Sequence, residues 1–130
     1  MQVIRSTDGG TTWSQPVRLT PQSDDHDQFF PTISVSPTGR IGVSWLDRHN
    51  DPNDVDYQAF AAFSDDGRQH FGTNWQLTTA SSNPDTNGDY NWMGDYTGNT
   101  WRDDSTFIAA WMDSSNGADM QGVVGGVRLR

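Results

Sequence analysis

The chain has 130 residues, a formal net charge of −9 and no cysteine, so it is long enough for one domain with a core and holds no disulfide or thiol site. No basic stripe is present, which argues against a nucleic-acid partner, and no stretch is long enough to span a membrane. All 17 acidic residues are Asp and all 8 basic residues are Arg. The helix formers Glu and Lys are therefore missing, which together with 13 Gly predicts an all-β domain rich in loops.

The first predicted element is a hairpin around the segment Ser6–Trp13. This Gly-rich segment separates two short apolar runs, as the connection of a β-hairpin does. Asp8 can accept backbone N–H groups inside the turn, and Gly9-Gly10 can adopt the positive φ angles that a tight turn requires. Trp13 supplies an apolar body that can fold back beneath the turn.

The pattern Ser-x-Asp-x-Gly-x-x-Trp in this segment resembles the Asp-box, or bacterial neuraminidase repeat, of sialidase-like β-propellers. The resemblance implies propeller blades of four-stranded antiparallel sheets and an extracellular or cell-surface location. It also implies that the box residues are structural and lie away from the active face; these are Ser6, Asp8, Gly9, Gly10 and Trp13.

Internal repeats extend this pattern along the chain. A degenerate second box follows, with Arg68 in place of the second Gly and its other positions at Ser64, Asp66, Gly67 and Phe71. The segment Ile41–Asp47 resembles Phe107–Asp113, and Asp56–Ala59 resembles Asp119–Gly122. Three partial copies of one unit are therefore predicted.

The repeats predict nine strands, at residues 2–5, 16–20, 32–36, 41–46, 57–63, 75–79, 92–96, 106–112 and 120–129. We expect a single partial propeller domain over 1–130, with about two to two-and-a-half blades: a half blade at 1–20, a complete blade at 21–79 and an incomplete blade at 80–130. This number of blades cannot close a ring. The chain is therefore expected either to be the C-terminal part of a longer propeller or to associate with itself.

Strand order predicts that the Asp-boxes lie at one end of the blades and the long polar loops at the other. Propellers bind ligands on such a loop-bearing face, so a glycan or another hydroxyl-rich ligand is expected there. The candidate ligand-binding residues are Asp27, Asp47, Arg48, His49, Asp89 and Tyr90. No cofactor is required by this interpretation.

One acidic loop also offers hard oxygen ligands at the close spacing that Ca²⁺ prefers. Its candidate metal ligands are Asp47, Asp51, Asn53, Asp54 and Asp56. Ordinary turn chemistry explains the same residues, because Asp, Asn and Pro are typical of turns. Both interpretations remain open at the level of sequence.

Trp13, Trp45 and Trp111 occupy repeated positions, which favours a place in the core. Trp92 and Trp101 lie outside the repeat and are the better candidates for stacking on a sugar, although stacking is not the favoured role even for them.

Three functions are compatible with these features. Sialidases of this fold use three arginines, an Asp, and a Tyr supported by a Glu, yet this chain has no Glu and no Phe/Tyr-Arg-Ile-Pro motif. We therefore predict a carbohydrate-associated propeller piece that is not catalytic on its own. One alternative is the C-terminal portion of an exo-sialidase-type glycoside hydrolase, and the other is a structural or interaction propeller completed by oligomerisation.

Overall fold

The computed structural model describes residues 1–20, 25–66, 70–87 and 94–130. The described part contains nine β-strands in three antiparallel sheets, which confirms the all-β prediction. The first sheet holds β1 (Gln2–Val3) and β2 (Val17–Arg18); the second holds β3 (Gln28–Val35), β4 (Ile41–Asp47), β5 (Gln58–Ser64) and β6 (Trp75–Gln76); the third holds β7 (Gly98–Trp101), β8 (Thr106–Asp113) and β9 (Gln121–Arg128). A short 3₁₀ turn, Pro84–Asn87, lies between the last two sheets in sequence. No helix in these ranges is long and apolar enough to cross a membrane.

Strands that are adjacent in sequence are adjacent within each sheet, so every sheet is a simple meander. The second and third sheets meet mainly through their first strands, β3 and β7. Asn99 on β7 donates from Nδ2 to the Thr32 carbonyl at 2.9 Å and to Ser44 Oγ at 2.8 Å. Trp101 Nε1 donates to the Ser34 carbonyl at 3.4 Å. Because these contacts advance together along the two strands, β3 and β7 run in the same direction.

The second sheet is buried on both faces because a neighbouring sheet covers each of them. β4 and β5 are accordingly almost continuous apolar runs rather than alternating ones. One cluster lies between the first and second sheets and comprises Leu19, Val43, Trp45, Phe60 and Ala62. The other lies between the second and third sheets and comprises Leu46, Tyr57, Ala59, Ala61, Phe63, Phe107, Ala109 and Trp111. The three sheets therefore form three stacked layers.

Eight of the nine predicted strands overlap the observed ones, but the strand at 92–96 is wrong. Residues 94–96 are not in a strand, and β7 begins later, at Gly98. The turn after β7 is closed by Arg102 N donating to the Thr106 carbonyl at 2.9 Å, just as Ser36 and Arg40 close the turn after β3. Aligning the turn at 102–106 with the turn at 36–40 as part of the internal repeat would have placed β7 directly before it. Residues 92 and 93 lie outside the described ranges.

The tryptophans divide according to whether a neighbouring sheet covers them. Trp45 and Trp111 are buried, as predicted. Trp13 is 59% exposed, so its predicted place in the core is wrong; it lies over Gly10 at the edge of the two-stranded first sheet. Trp101 is partly buried and packs edge-on against Phe63 and Phe107. Trp92 lies outside the described residues.

Candidate functional site

One end of the stacked sheets carries short turns that are joined across the sheet boundary. Asp104, in the β7–β8 turn, accepts at Oδ1 from Thr38 N at 2.9 Å and from Thr38 Oγ1 at 2.7 Å. Arg40 pairs with Asp65 after β5 and donates to the Asp104 carbonyl at 3.0 Å. We call this the turn end, defined by the turns at 36–40, 102–106 and 64–66.

The box-like segment Ser6–Trp13, which we call the first box, lies at the turn end as well. The start of β1 lies beside the start of β3, because the Met1 ammonium donates to Gln28 Oε1 at 2.6 Å. The tip of the β1–β2 hairpin therefore lies toward the other end of β3, which is the turn end. Within the box, Asp8 accepts from Thr12 N at 2.9 Å and from Thr12 Oγ1 at 2.6 Å. Ser6 Oγ donates to Asp8 and accepts from Gly10 N at 2.8 Å. Gly9 and Gly10 have φ angles of 72° and 91°, so these side chains close their own turn.

The second box repeats this arrangement in a weaker form. Ser64 Oγ donates to Asp66 Oδ1 at 2.9 Å, and His70 Nδ1 lies 2.7 Å from Asp66 Oδ2. Phe71, at the position of Trp13, packs against the cluster between the first and second sheets. Gly67 lies outside the described residues.

Acidification should destabilise the fold as the turn carboxylates lose their charge. Hydrogen bonds from Thr12 lower the pKa of Asp8 from 3.8 to about 2, and hydrogen bonds from Ser105 lower the pKa of Asp103 to about 2. A lowered pKa in the folded state contributes stability that is complete above 3.8 and is lost as the pH falls through about 2. Urea unfolding as a function of pH measures this loss. The free energy of unfolding of the D8N/D103N double variant should depend less steeply on pH between 3.8 and about 2. A dependence as steep as that of the unaltered chain would contradict the prediction.

The opposite end, which we call the loop end, brings three sequence-predicted residues together. Arg48 donates from its backbone to the Asp27 carbonyl at 3.1 Å, and its Nη1 lies 3.3 Å from Asp27 Oδ2. Asp54 Oδ1 accepts from Asp27 N at 3.0 Å. The Arg48 guanidinium also lies over the Phe29 ring, 5.2 Å from its centroid. Asp27 remains 68% exposed and the Arg48 side chain is 21% exposed, so the carboxylate faces solvent beside a held guanidinium that is only partly accessible.

Asp47 has a different place from its predicted one at the ligand surface. It is buried at the end of β4, where its carboxylate accepts from Trp45 Nε1 at 2.8 Å and from His49 N at 2.9 Å. The His49 ring lies against Phe60, with centroids 4.7 Å apart. Asp47 therefore holds the start of the loop that carries Arg48.

The third sheet repeats this anchor. Asp113 accepts from Trp111 Nε1 at 3.3 Å and from Ser115 N at 2.9 Å. Burial alone would raise the pKa of Asp113, but hydrogen bonds from Ser115 and Trp111 outweigh it and lower the pKa overall. A Trp-x-Asp pair therefore ends both β4 and β8, and in each sheet it ties the following loop to the strand.

The five metal candidates do not converge on one point. Asp51 accepts from the backbone N–H groups of Asn53, Val55 and Asp56. These hydrogen bonds lower the pKa of Asp51, and the bond from Asp56 has the largest effect. Asp56 Oδ1 accepts from Asn83 Nδ2 at 2.8 Å. Across 1–20, 25–66, 70–87 and 94–130, no three His, Cys, Asp or Glu side chains are grouped to hold a metal ion. Calcium binding by this loop stays a prediction.

The sequence interpretation missed one exposed aromatic residue at the loop end. Tyr96 is 83% exposed and precedes β7. Thr97 Oγ1 donates to the Phe30 carbonyl at 3.4 Å, so Tyr96 lies at the same end of the parallel pair β3 and β7 as Asp27. The preceding pair Gly94-Asp95 was the available signal, since Gly and Asp mark a loop rather than a strand. The other predicted ligand residues, Asp89 and Tyr90, lie outside the described ranges.

Comparison with protein-family models, with curated proteins and with solved structures finds no match. The functional interpretation therefore rests on the residues themselves. At the loop end these offer an aromatic ring, a carboxylate and a guanidinium on neighbouring strand ends.

Proposed function

We propose that this protein is a sialidase-like Asp-box propeller piece that binds glycans at its loop end and is not catalytic on its own. Two features support the architecture: the three sheets stack in sequence order, and the second and third meet mainly through their first strands. The observation that carries the function is the placement of Tyr96, Asp27 and Arg48 at one end, opposite the Asp-box turns.

These three groups match the chemistry of a sugar. The flat face of an exposed aromatic ring covers the apolar C–H face of a pyranose, as aromatic side chains do at wet interfaces. The Asp27 carboxylate accepts from hydroxyl groups and the Arg48 guanidinium donates to them. Because Arg48 is held by Asp27 and lies over Phe29, little side-chain entropy is lost when a ligand binds.

The absence of catalysis is supported by the environment of the groups that hydrolysis would need. Asp47 and Asp113 are buried and engaged with tryptophan N–H groups. Burial raises the pKa of Tyr57 to about 12, and its hydroxyl donates to the Met112 carbonyl at 3.0 Å. A tyrosine in this state stays protonated near neutral pH and is a poor nucleophile.

A glycan array with matched aromatic variants tests the binding. Tyr96→Ala should weaken the binding of the best glycan by about tenfold or more, equivalent to about 1.4 kcal/mol. Trp13→Ala is the control, since Trp13 is also an exposed aromatic residue but lies at the turn end, and it should leave binding unchanged. Equal losses of glycan affinity in both variants, or unchanged affinity in Tyr96→Ala, would contradict the proposal.

A fluorogenic sialoside assay separates the proposal from the hydrolase alternative. The isolated chain should release no fluorophore above background. Turnover by the purified chain would favour the C-terminal portion of an exo-sialidase-type hydrolase. If the chain neither binds glycans nor releases the fluorophore, a structural or interaction propeller is the remaining candidate function.

A further inference from the structure

A cleft of about 650 Å³ opens at the turn end, between the second and third sheets. Its floor is apolar, because Phe63 belongs to the cluster between these sheets and Leu129 packs against that cluster. Trp75 forms part of its wall and is 47% exposed. The cleft therefore combines an apolar floor with an accessible aromatic face, which is typical of small-molecule sites.

Three arginines also line the cleft, in a chain whose net charge is −9. Arg40, Arg128 and Arg130 contribute three of the chain's 8 Arg residues to this one cleft. Among the described residues of the lining, Asp65 is the one acidic side chain, and Arg40 pairs with it. Arg128 and Arg130 are exposed and form no ion pair with any residue that the structure describes.

We propose that this cleft binds a carboxylate carried by a ring with an apolar face, either an acidic sugar residue or an aromatic acid. The guanidinium groups of Arg128 and Arg130 present paired N–H donors that match the two oxygens of a carboxylate. Trp75 covers the ring of the ligand, and Phe63 and Leu129 exclude water beneath it. The acidic remainder of the molecule repels anions, so binding is confined to this locally cationic cleft.

Titration calorimetry with tetragalacturonate, its fully methyl-esterified form and benzoate tests the proposal and separates the two sources. Tetragalacturonate should bind and its neutral ester should not, because only the acid carries the carboxylates. Binding of benzoate alone would assign the cleft to aromatic acids and would still support the anion site. No binding of either acid would overturn the proposal. Added salt should weaken the binding, since exposed charges are screened.

Arginine variants locate the site. The Arg128→Ala/Arg130→Ala double variant should lose about tenfold or more in affinity, whereas Arg18→Ala, an exposed arginine on β2, should lose none. Tyr96→Ala should leave this binding intact, which separates the cleft from the loop end. Equal losses with Arg18→Ala would show non-specific attraction and overturn the proposal.

Discussion

Replacing Phe107 by Ala should lower the free energy of unfolding by about 3–5 kcal/mol. The ring is fully buried between the second and third sheets, with its centroid 5.0 Å from that of Phe63 and 5.3 Å from that of Trp101. A Cβ atom built on Gly42 would lie 2.5 Å from Phe107 Cε2, so the backbone of β4 touches the ring directly. The cavity left by the substitution cannot collapse easily, because Phe63, Trp101 and the β4 backbone at Gly42 surround it from separate strands.

Urea unfolding measures this loss, and Val124→Ala is the matched control. Val124 also belongs to the third sheet, but it lies on the outer face and is 68% exposed. Its truncation should change the free energy of unfolding by less than about 0.5 kcal/mol. Similar small losses in both variants would mean that the second and third sheets do not share a core, contrary to the structure.

Replacing Asp47 by Ala should lower the free energy of unfolding by about 2–4 kcal/mol. The substitution leaves the buried Trp45 indole N–H and the His49 backbone N–H without their acceptor, and each unpaired buried donor carries a desolvation cost. Because Arg48 lies between these anchor points in sequence, its guanidinium should also lose its place over Phe29. Glycan binding at the loop end should therefore weaken together with stability.

Two further variants separate the anchor from a simple charge effect. Asp47→Asn keeps one acceptor oxygen and should recover part of the lost stability, while Asp119→Ala removes an exposed carboxylate and should change the free energy of unfolding little. Urea unfolding, followed by the intrinsic fluorescence of the six tryptophans, measures the effect of each variant. If Asp47→Ala were as stable as Asp119→Ala, the hydrogen bonds of Asp47 would not be holding the loop.

The placement of the loop end could be anticipated because strand order alone fixes which connections share an end. Asp27 and Arg48 were assigned to that end from the order of their strands, and the structure brings them into contact. The same argument could not tell that Asp47 points into the core. That depended on the Trp45 indole N–H, a partner two residues away whose direction only the packed sheet reveals.

The cationic cleft could not be anticipated from the sequence at all. Arg40 and Arg128 lie far apart in the chain and reach one cleft only because the second sheet packs on the third. Trp13 also depends on the tertiary structure, because its sequence pattern predicted a buried residue and the structure leaves it exposed. The second box is a degenerate copy of the first, yet its Phe71 is partly buried whereas Trp13 is exposed, because the first sheet has two strands and leaves that side open.

The sequence by itself determined the all-β class, the repeated unit and most strand positions. These features are local: turn residues select where the chain reverses, and apolar runs select which segments are buried. The tertiary structure alone decided which repeated side chains are core and which are surface, since that depends on whether a neighbouring sheet covers each face. For this reason Trp45 and Trp111 are buried while Trp13 is exposed, and the groups offered to a ligand at either end follow from how the sheets stack.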